Sequence, residues 1–288
     1  MSQDVAGEAQ AVSSDGSRLG VLDAARLSWR LMRSDFWPLW VVSFLANIIA
    51  GFSGPGVFVV GPPMAAGVFY VLGQRMQGRR VDVGQVFQGF SQRFKQSFMA
   101  GLIPYGAAVL APLLWLPFHL LIIFGGMGLG AASGEKEAMP FVFFGAFCLD
   151  FAVYGLLMVA ALATKALFVF AQCAVWDRPD SGWEAAKDSL RLVRDHPGAI
   201  VKLFLLFAPI GFAGLVAGYA MCIVGLFFTM PLVGLWYSGT VLYLYCAWTG
   251  RPVVQPTAAM AAEGGPVRRS LGGGGPIPPT DIQPPAGL

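Results

Sequence analysis

An all-α, polytopic transmembrane helical bundle with about six spans is the fold class this sequence predicts, and three observations predict it. The first is a set of long stretches without a single Asp, Glu, Lys or Arg: Phe36–Gln74, Gln96–Gly134 and Leu203–Gly250. A soluble core has no use for uninterrupted apolar segments of that length, whereas about 30 Å of hydrocarbon requires them. The second is composition: 56% hydrophobic and 12% charged residues with mean hydropathy +0.64, against roughly one quarter charged in soluble domains. The third is where the basic residues fall. Outer-membrane barrels are excluded, because their strands read as short alternating segments whereas these stretches are apolar on every face.

Taken in order, residues 1–20 are polar, with Asp4, Glu8, Asp15 and only Arg18. They carry no signal peptide and read as a disordered cytoplasmic tail. Phe36–Gln74 divides at Gly51-Phe52-Ser53-Gly54-Pro55-Gly56, where Gly and Pro end one helix and begin another. The result is a span at Phe36–Phe52 and a second at Val57–Gln74, interrupted by Gly61-Pro62-Pro63. In Gln96–Gly134, Pro104, Pro112 and Pro117 either separate two short helices or kink one long tilted span. Met139–Trp176, apolar except for Asp150 and Lys165, reads most simply as one steep helix, with two short segments as the alternative. Leu203–Gly250 is a pair divided around Gly218–Gly225. The Pro/Gly-rich segment 255–288 cannot build a packed core and reads as a disordered tail. Between the tails lies one transmembrane domain, 21–254, with repeat units at about 21–80 and 182–254 around middle spans at about 96–176.

Charge tests the count. One set of connecting segments holds Arg18, Arg26, Arg30 and Arg33; Arg75, Arg79, Arg80, Arg93 and Lys95; Arg178, Lys187, Arg191, Arg194 and Lys202; and Arg251, Arg268 and Arg269. The opposite set holds only Lys136, between Glu135 and Glu137. This asymmetry favours six spans with both termini cytoplasmic.

An internal repeat underlies the pattern. Leu22-Asp-Ala-Ala-Arg-Leu-Ser-Trp-Arg-Leu-Met-Arg33 matches Trp183-Glu-Ala-Ala-Lys-Asp-Ser-Leu-Arg-Leu-Val-Arg194, and each copy precedes an uncharged helical pair. Both begin on the basic side, so the repeat is parallel, related by an axis along the membrane normal. At helical spacing, Leu22, Ala25, Trp29, Met32 and Phe36 share one face, as do Trp183, Ala186, Leu190 and Val193. Arg26, Arg30 and Arg33, or Lys187, Arg191 and Arg194, occupy the neighbouring face. These are expected to be interfacial helices, apolar side toward the acyl boundary and basic side toward anionic headgroups. Val83, Phe87, Phe90, Phe94 and Phe98 trace a third stripe of this kind. The alternative is that these segments simply extend the membrane helices into the cytoplasm.

Few polar groups lie within the spans. Asp150 is the sharpest candidate, since a buried carboxylate costs roughly 2.5 to 3.5 kcal/mol on insertion scales and must face protein or water or be protonated. Lys165 is fifteen residues on, about 22 Å along a helix, too far to pair with it directly, and is expected to snorkel to the cytoplasmic surface. His119 either joins Asp150 in a proton relay or is a structural, hydrogen-bonded histidine. Asn47 and Gln172 are amides of the kind that bridge helices. Gly126xxxGly130 and Gly214xxxGly218 permit close helix approach or mark turns. The four cysteines, Cys148, Cys173, Cys222 and Cys246, form no CxxC and read as packing residues.

No HExxH, GK[ST] loop, GxSxG or metal-spaced cluster is present in the sequence, so neither enzymatic activity nor a metal or cofactor is expected, and nothing supports nucleic-acid binding.

Ala185-Ala186-Lys187-Asp188-Ser189, Gly225-Leu-Phe-Phe-Thr-Met-Pro231, Tyr237, Gly61-Pro62 and the polar stretch 74–80 together resemble families of uncharacterised bacterial inner-membrane proteins with about six spans. Their members place an Ala-x-x-Ser-like amphipathic segment before a hairpin whose second helix carries Gly-x-x-x-x-x-Pro. The resemblance covers about 21–254 and implies an architecture and a bacterial inner-membrane location, with no site to carry over. The expectation is a structural or accessory membrane protein that touches anionic lipid and a membrane-protein partner or a second copy of itself. The alternative is a secondary transporter or channel-like protein for a small solute or ion, working through Asp150.

Overall fold

A computed structural model describes residues 19–133, 139–177, 181–221 and 224–251. Both expected tails beyond these bounds, Cys222, Arg178 and the Glu135-Lys136-Glu137 loop lie outside the described residues. What is described is helical: α1 Val21–Ser34, α2 Phe36–Phe52, α3 Val57–Met76, α4 Gln88–Ser91, α5 Phe94–Ser133, α6 Met139–Leu167, α7 Ala171–Ala174, α8 Gly182–Asp195, α9 Pro197–Ala220 and α10 Val224–Trp248, with 3-10 turns at Gly54–Gly56 and Val83–Phe87.

Five helical segments are long and apolar enough to cross a bilayer by themselves: Val57–Met76, Phe94–Gly125, Phe144–Ala174, Pro197–Ala220 and Gly225–Trp248. The sixth expected span is α2, which at 17 residues sits at the lower limit for crossing and bends by 105° from α1 at Asp35. The protein is therefore a polytopic helical membrane protein with five spans, or six when the bent pair counts as one.

The centre of the bundle is α3. It packs against α2, α5, α7, α10 and the segment that follows it, and buries Gly61, Pro62, Pro63, Met64, Val68 and Leu72 among others. Gly61-Pro62-Pro63 does not interrupt this helix, contrary to the expectation from sequence. The helix runs through, and Gly61 and Pro62 are instead the places where α5 comes closest: a Cβ on Gly61 would lie 2.4 Å from the Tyr105 ring, and one on Gly101 would lie 2.5 Å from Pro62. Each proline forgoes one i→i−4 bond, to the Phe58 and Val59 carbonyls, and the Pro62 ring serves as packing surface against α5.

The expected amphipathic stripe Val83–Phe98 is likewise corrected. It breaks into a 3-10 turn, the short α4 and the start of α5, and it folds back onto α3 so closely that backbone meets backbone. The Val86 carbonyl oxygen occupies the position where a Cβ on Gly67 would be, 1.7 Å away, and the Pro63 carbonyl sits 1.9 Å from a Cβ built on Gly89. A regular helix cannot approach another that closely with side chains at the contact, so the glycines decide the shape here.

α1 and α8 are amphipathic as expected, but their apolar faces turn into the protein. α1 buries Ala24, Ala25, Leu27, Ser28, Leu31 and Met32, chiefly against α10. Ser28 Oγ donates to the Trp236 carbonyl at 2.9 Å, and Trp236 Nε1 donates back to the Ala25 carbonyl at 2.8 Å. α8 buries Ala185, Ala186, Ser189 and Val193 against α5 and α7. There Ser189 Oγ accepts from the Phe170 amide and donates to the Leu167 carbonyl, both at 3.1 Å, satisfying backbone groups released where α6 stops and α7 begins. Only Leu22, Trp29, Trp183 and Leu190 remain exposed on the two stripes. The matched helices thus bury equivalent positions, yet against different partners, and the helix contacts do not reproduce a repeat.

Away from this centre the helices splay. In the most apolar stretch of α5 only 6% of residues are buried in the protein, against 56% in α3. Beyond Ala111, α5 runs on with Leu113, Leu114, Leu121 and Phe124 exposed, facing α6 with Phe144, Phe147, Leu149, Phe151 and Leu156 exposed. α6 touches α5 along its length and α8 near its end, and little else. Pro104, Pro112 and Pro117 do not divide α5, which is one helix of 40 residues. α9 similarly leans on α10 alone for most of its packing. Gly214 and Gly218 face α10 there: Thr229 Oγ1 donates to the Gly214 carbonyl at 3.0 Å, and a Cβ on Gly218 would meet Leu226 at 2.5 Å. Gly126 and Gly130 lie inside α5 and mark no turn.

Candidate functional site

Two places gather the polar groups of the spans. The first is on the α5–α6 hairpin. Trp115 and His119 are one turn apart on α5, so both face the same strip of α6. Trp115 Nε1 donates to Asp150 Oδ1 at 2.9 Å, and His119 Nδ1 lies 2.9 Å from Asp150 Oδ2. The indole and imidazole stack with centroids 4.4 Å apart, and Tyr154 closes over Trp115 at 5.0 Å. Asp150 is 6% exposed. Both carboxylate oxygens are thus engaged by side chains of α5. Beside them runs a groove of about 450 Å³ walled by Ile122, Ile123, Phe144 and Phe147. The sequence brings Asp150 and His119 forward as candidates and the fold joins them; Trp115 is the partner that sequence reasoning missed, although its i, i+4 spacing to His119 was the available signal.

The second place is a chamber of about 240 Å³ between α2, α3, α5, α6, α7 and α10, lined by Asn47, Tyr105, Lys165, Gln172, Tyr237 and Ser238 among apolar neighbours. Lys165 lines this chamber while remaining exposed, together with Met64 and Val68 of α3 and Gly234 and Tyr237 of α10. α6 ends two residues later in a turn, Phe168–Phe170, whose side chains are buried in the core. Among the described residues Lys165 has no hydrogen-bond or ion-pair partner, nor do the Tyr105 and Tyr237 hydroxyls. Gln172 is 6% exposed; its Nε2 donates to the Ser97 carbonyl at 3.2 Å while its Oε1 is buried without a partner. Asn47 does not bridge helices as expected of an intramembrane amide: its Nδ2 donates back to the Ser43 carbonyl of its own helix at 2.8 Å.

A larger cavity, about 530 Å³, opens near the ends of α3 and α10 beside Cys173, Cys246 and Asp177. Its charged groups satisfy one another, since Asp177 accepts from the Tyr245 hydroxyl and pairs with Arg251. Cys173 is buried and Cys246 half-buried, as packing residues should be, but Cys148 is exposed on the splayed part of α6. No cluster able to hold a metal ion occurs among the described residues.

Charges at the base of the bundle divide by role. Arg26, Arg30, Arg33, Lys187, Arg191 and Arg194 are exposed. Arg75 is not: it is buried, its Nε 3.4 Å from Asp35 Oδ2 and its Nη1 3.4 Å from the Arg79 carbonyl, and so ties α3 to the α1–α2 corner. In the equivalent corner between α8 and α9, His196 stacks flat on Trp248 at 4.1 Å.

Fold and sites together define an all-helical, multi-pass membrane protein. No family model, curated protein or solved structure matches the chain.

Proposed function

We propose that this chain is a structural or accessory protein of the bacterial cytoplasmic membrane, with both termini on the basic, cytoplasmic side, and that it neither transports a solute through Asp150 nor catalyses a reaction. The observation that carries this reading is the state of Asp150: both oxygens are engaged by Trp115 and His119 within a single hairpin, beside an apolar groove. An alternating-access carboxylate needs a polar path that reaches it, whereas a carboxylate that fastens two helices needs none. In this reading the inner core is a rigid base, and the exposed α5–α6 hairpin is the surface offered to lipid or to another membrane protein. The exposed arginines and lysines of α1 and α8 hold that base against anionic headgroups. The twofold sequence match of α1–α3 with α8–α10 fits a helical unit copied for stability.

Water access at position 150 tests it. Asp150→Cys, in a background with Cys148, Cys173, Cys222 and Cys246 replaced, is exposed to membrane-impermeant thiol reagents from each side of sealed vesicles. Protection from both sides is expected. Labelling that changes sides under a proton gradient would overturn the proposal in favour of a transporter or channel-like protein.

A further inference from the structure

We infer that the Lys165 chamber is a binding site for a monocarboxylate with a short apolar body. Four features point the same way. Lys165 lines the chamber, is exposed and has no hydrogen-bond or ion-pair partner among the described residues, so its side chain is open to an anion. The Tyr105 and Tyr237 hydroxyls line the same space with their donors unused. Gln172, more than nine-tenths buried, adds a polar side chain to the same wall, its Nε2 held by the Ser97 carbonyl. The remaining wall is apolar: Ala46, Met64, Val68, Phe69 and Phe168.

Charge and size select the ligand class. One ammonium and neutral hydroxyl donors balance a single negative charge, and no arginine lines the chamber to grip a phosphate in the two-pronged manner that doubly charged oxyanions favour. A volume of about 240 Å³ corresponds to roughly eight waters at about 30 Å³ each, enough for a carboxylate and a handful of methylenes. The carboxylate sits at Lys165 and the phenols, and the methylenes lie along Met64 and Val68. Such an anion reaches the chamber either from the bilayer, as a fatty-acyl anion, or from water, as a small organic acid.

The test uses the full-length protein in phosphatidylcholine nanodiscs, with octanoate and butyrate as probes and octanol and octylammonium as chain-matched controls, read by saturation binding and by thermal shift. Octanoate is expected to bind saturably, and Lys165→Met to weaken it by roughly ten- to hundredfold, the loss of one charge-assisted contact. Lys165→Arg, which keeps the charge, is expected to retain binding. Tyr237→Phe is expected to weaken octanoate by roughly tenfold, the worth of one hydrogen bond, and keeps the test open if Lys165→Met does not fold. Butyrate binding as well would assign entry from water; octanoate alone would assign entry from the bilayer. Octanol or octylammonium binding as tightly as octanoate, unchanged affinity in either the Met or the Phe variant, or no binding of either acid would overturn the inference. Asp150→Leu is expected to leave octanoate affinity unchanged, so this site stands or falls apart from the reading of Asp150.

Discussion

The base of the bundle and the outer α5–α6 hairpin are built from similar residues by different rules. In the base, backbones touch through glycine, serine and tryptophan side chains bond to carbonyls of neighbouring helices, and large residues such as Tyr243, Phe170, Met32 and Leu244 are fully buried. In the hairpin, leucines and phenylalanines are turned outward, and the one strong polar contact is between its two helices. Apolar composition is therefore no guide to packing in a membrane protein, because hydrocarbon solvates a leucine as well as another leucine does. Close approach and hydrogen bonds to carbonyls distinguish a core from a lipid face.

The sharpest way to break this comparison is to place a methyl group in each region. Gly67→Ala puts a Cβ where the Val86 carbonyl oxygen stands, and the displacement of backbone it forces is expected to cost about 3 kcal/mol or more, read as lost yield and lost thermal stability in detergent. Gly125→Ala and Gly128→Ala, with nothing within 4 Å of the added atom, are expected to leave stability unchanged or raise it by up to about 1 kcal/mol. If both kinds of substitution behave alike, the distinction between base and hairpin is wrong.

Next in size is the buried tie at the α1–α2 corner. Arg75→Met strands Asp35, and the expected loss is about 2–3 kcal/mol, at the low end for breaking a buried pair because the Asp35 side chain stays 30% exposed. The measurement is chemical unfolding in micelles, with Arg75→Lys as the comparison that keeps charge but shortens reach.

Asp150→Leu sharpens the picture of the hairpin. Trp115 and His119 both lose their acceptor, an expected local cost of about 1–3 kcal/mol. Because the two helices lean mainly on each other there, faster amide exchange is expected in 110–125 and 144–160, with exchange in α3 and α10 unchanged. Exchange spreading into α3 would mean that the hairpin and base unfold as one unit.

The smallest effect belongs to the outward side chains. Leu121→Ala and Phe124→Ala, at residues 69% and 67% exposed, are expected to move stability by less than about 0.5 kcal/mol in detergent. A marked change in crosslinked oligomer with stability intact would show that this face meets protein and not only lipid.

Legibility followed the range of the interaction. Helix bounds at Phe36–Phe52, the break between α9 and α10 and the amphipathic character of α1 and α8 could be read locally, since each depends on apolar run length, glycine and proline punctuation, or a period of 3.6 residues. The single helix read over Met139–Trp176 instead stops at Leu167, where a turn leads into α7. Asp150 and His119 stood out because ionisable groups are expensive in hydrocarbon. Their union depended on the register of α5 against α6, which Trp115 shares and no local pattern encodes. The same holds for Lys165, whose place in a chamber shared by six helices depends on contacts that no local pattern encodes.

The chain by itself determined that it is helical, that it crosses a membrane several times, and which few groups would be costly to bury, because those properties follow from the transfer energies of residues within one segment. Only the tertiary structure decided which apolar faces meet protein and which meet lipid, that Gly67 and Gly89 admit a folded-back segment onto α3, and that Lys165 and Gln172 share a chamber with two unpaired phenols. Those outcomes depend on shape at contacts between segments far apart in sequence, where an ångström separates a close fit from a clash.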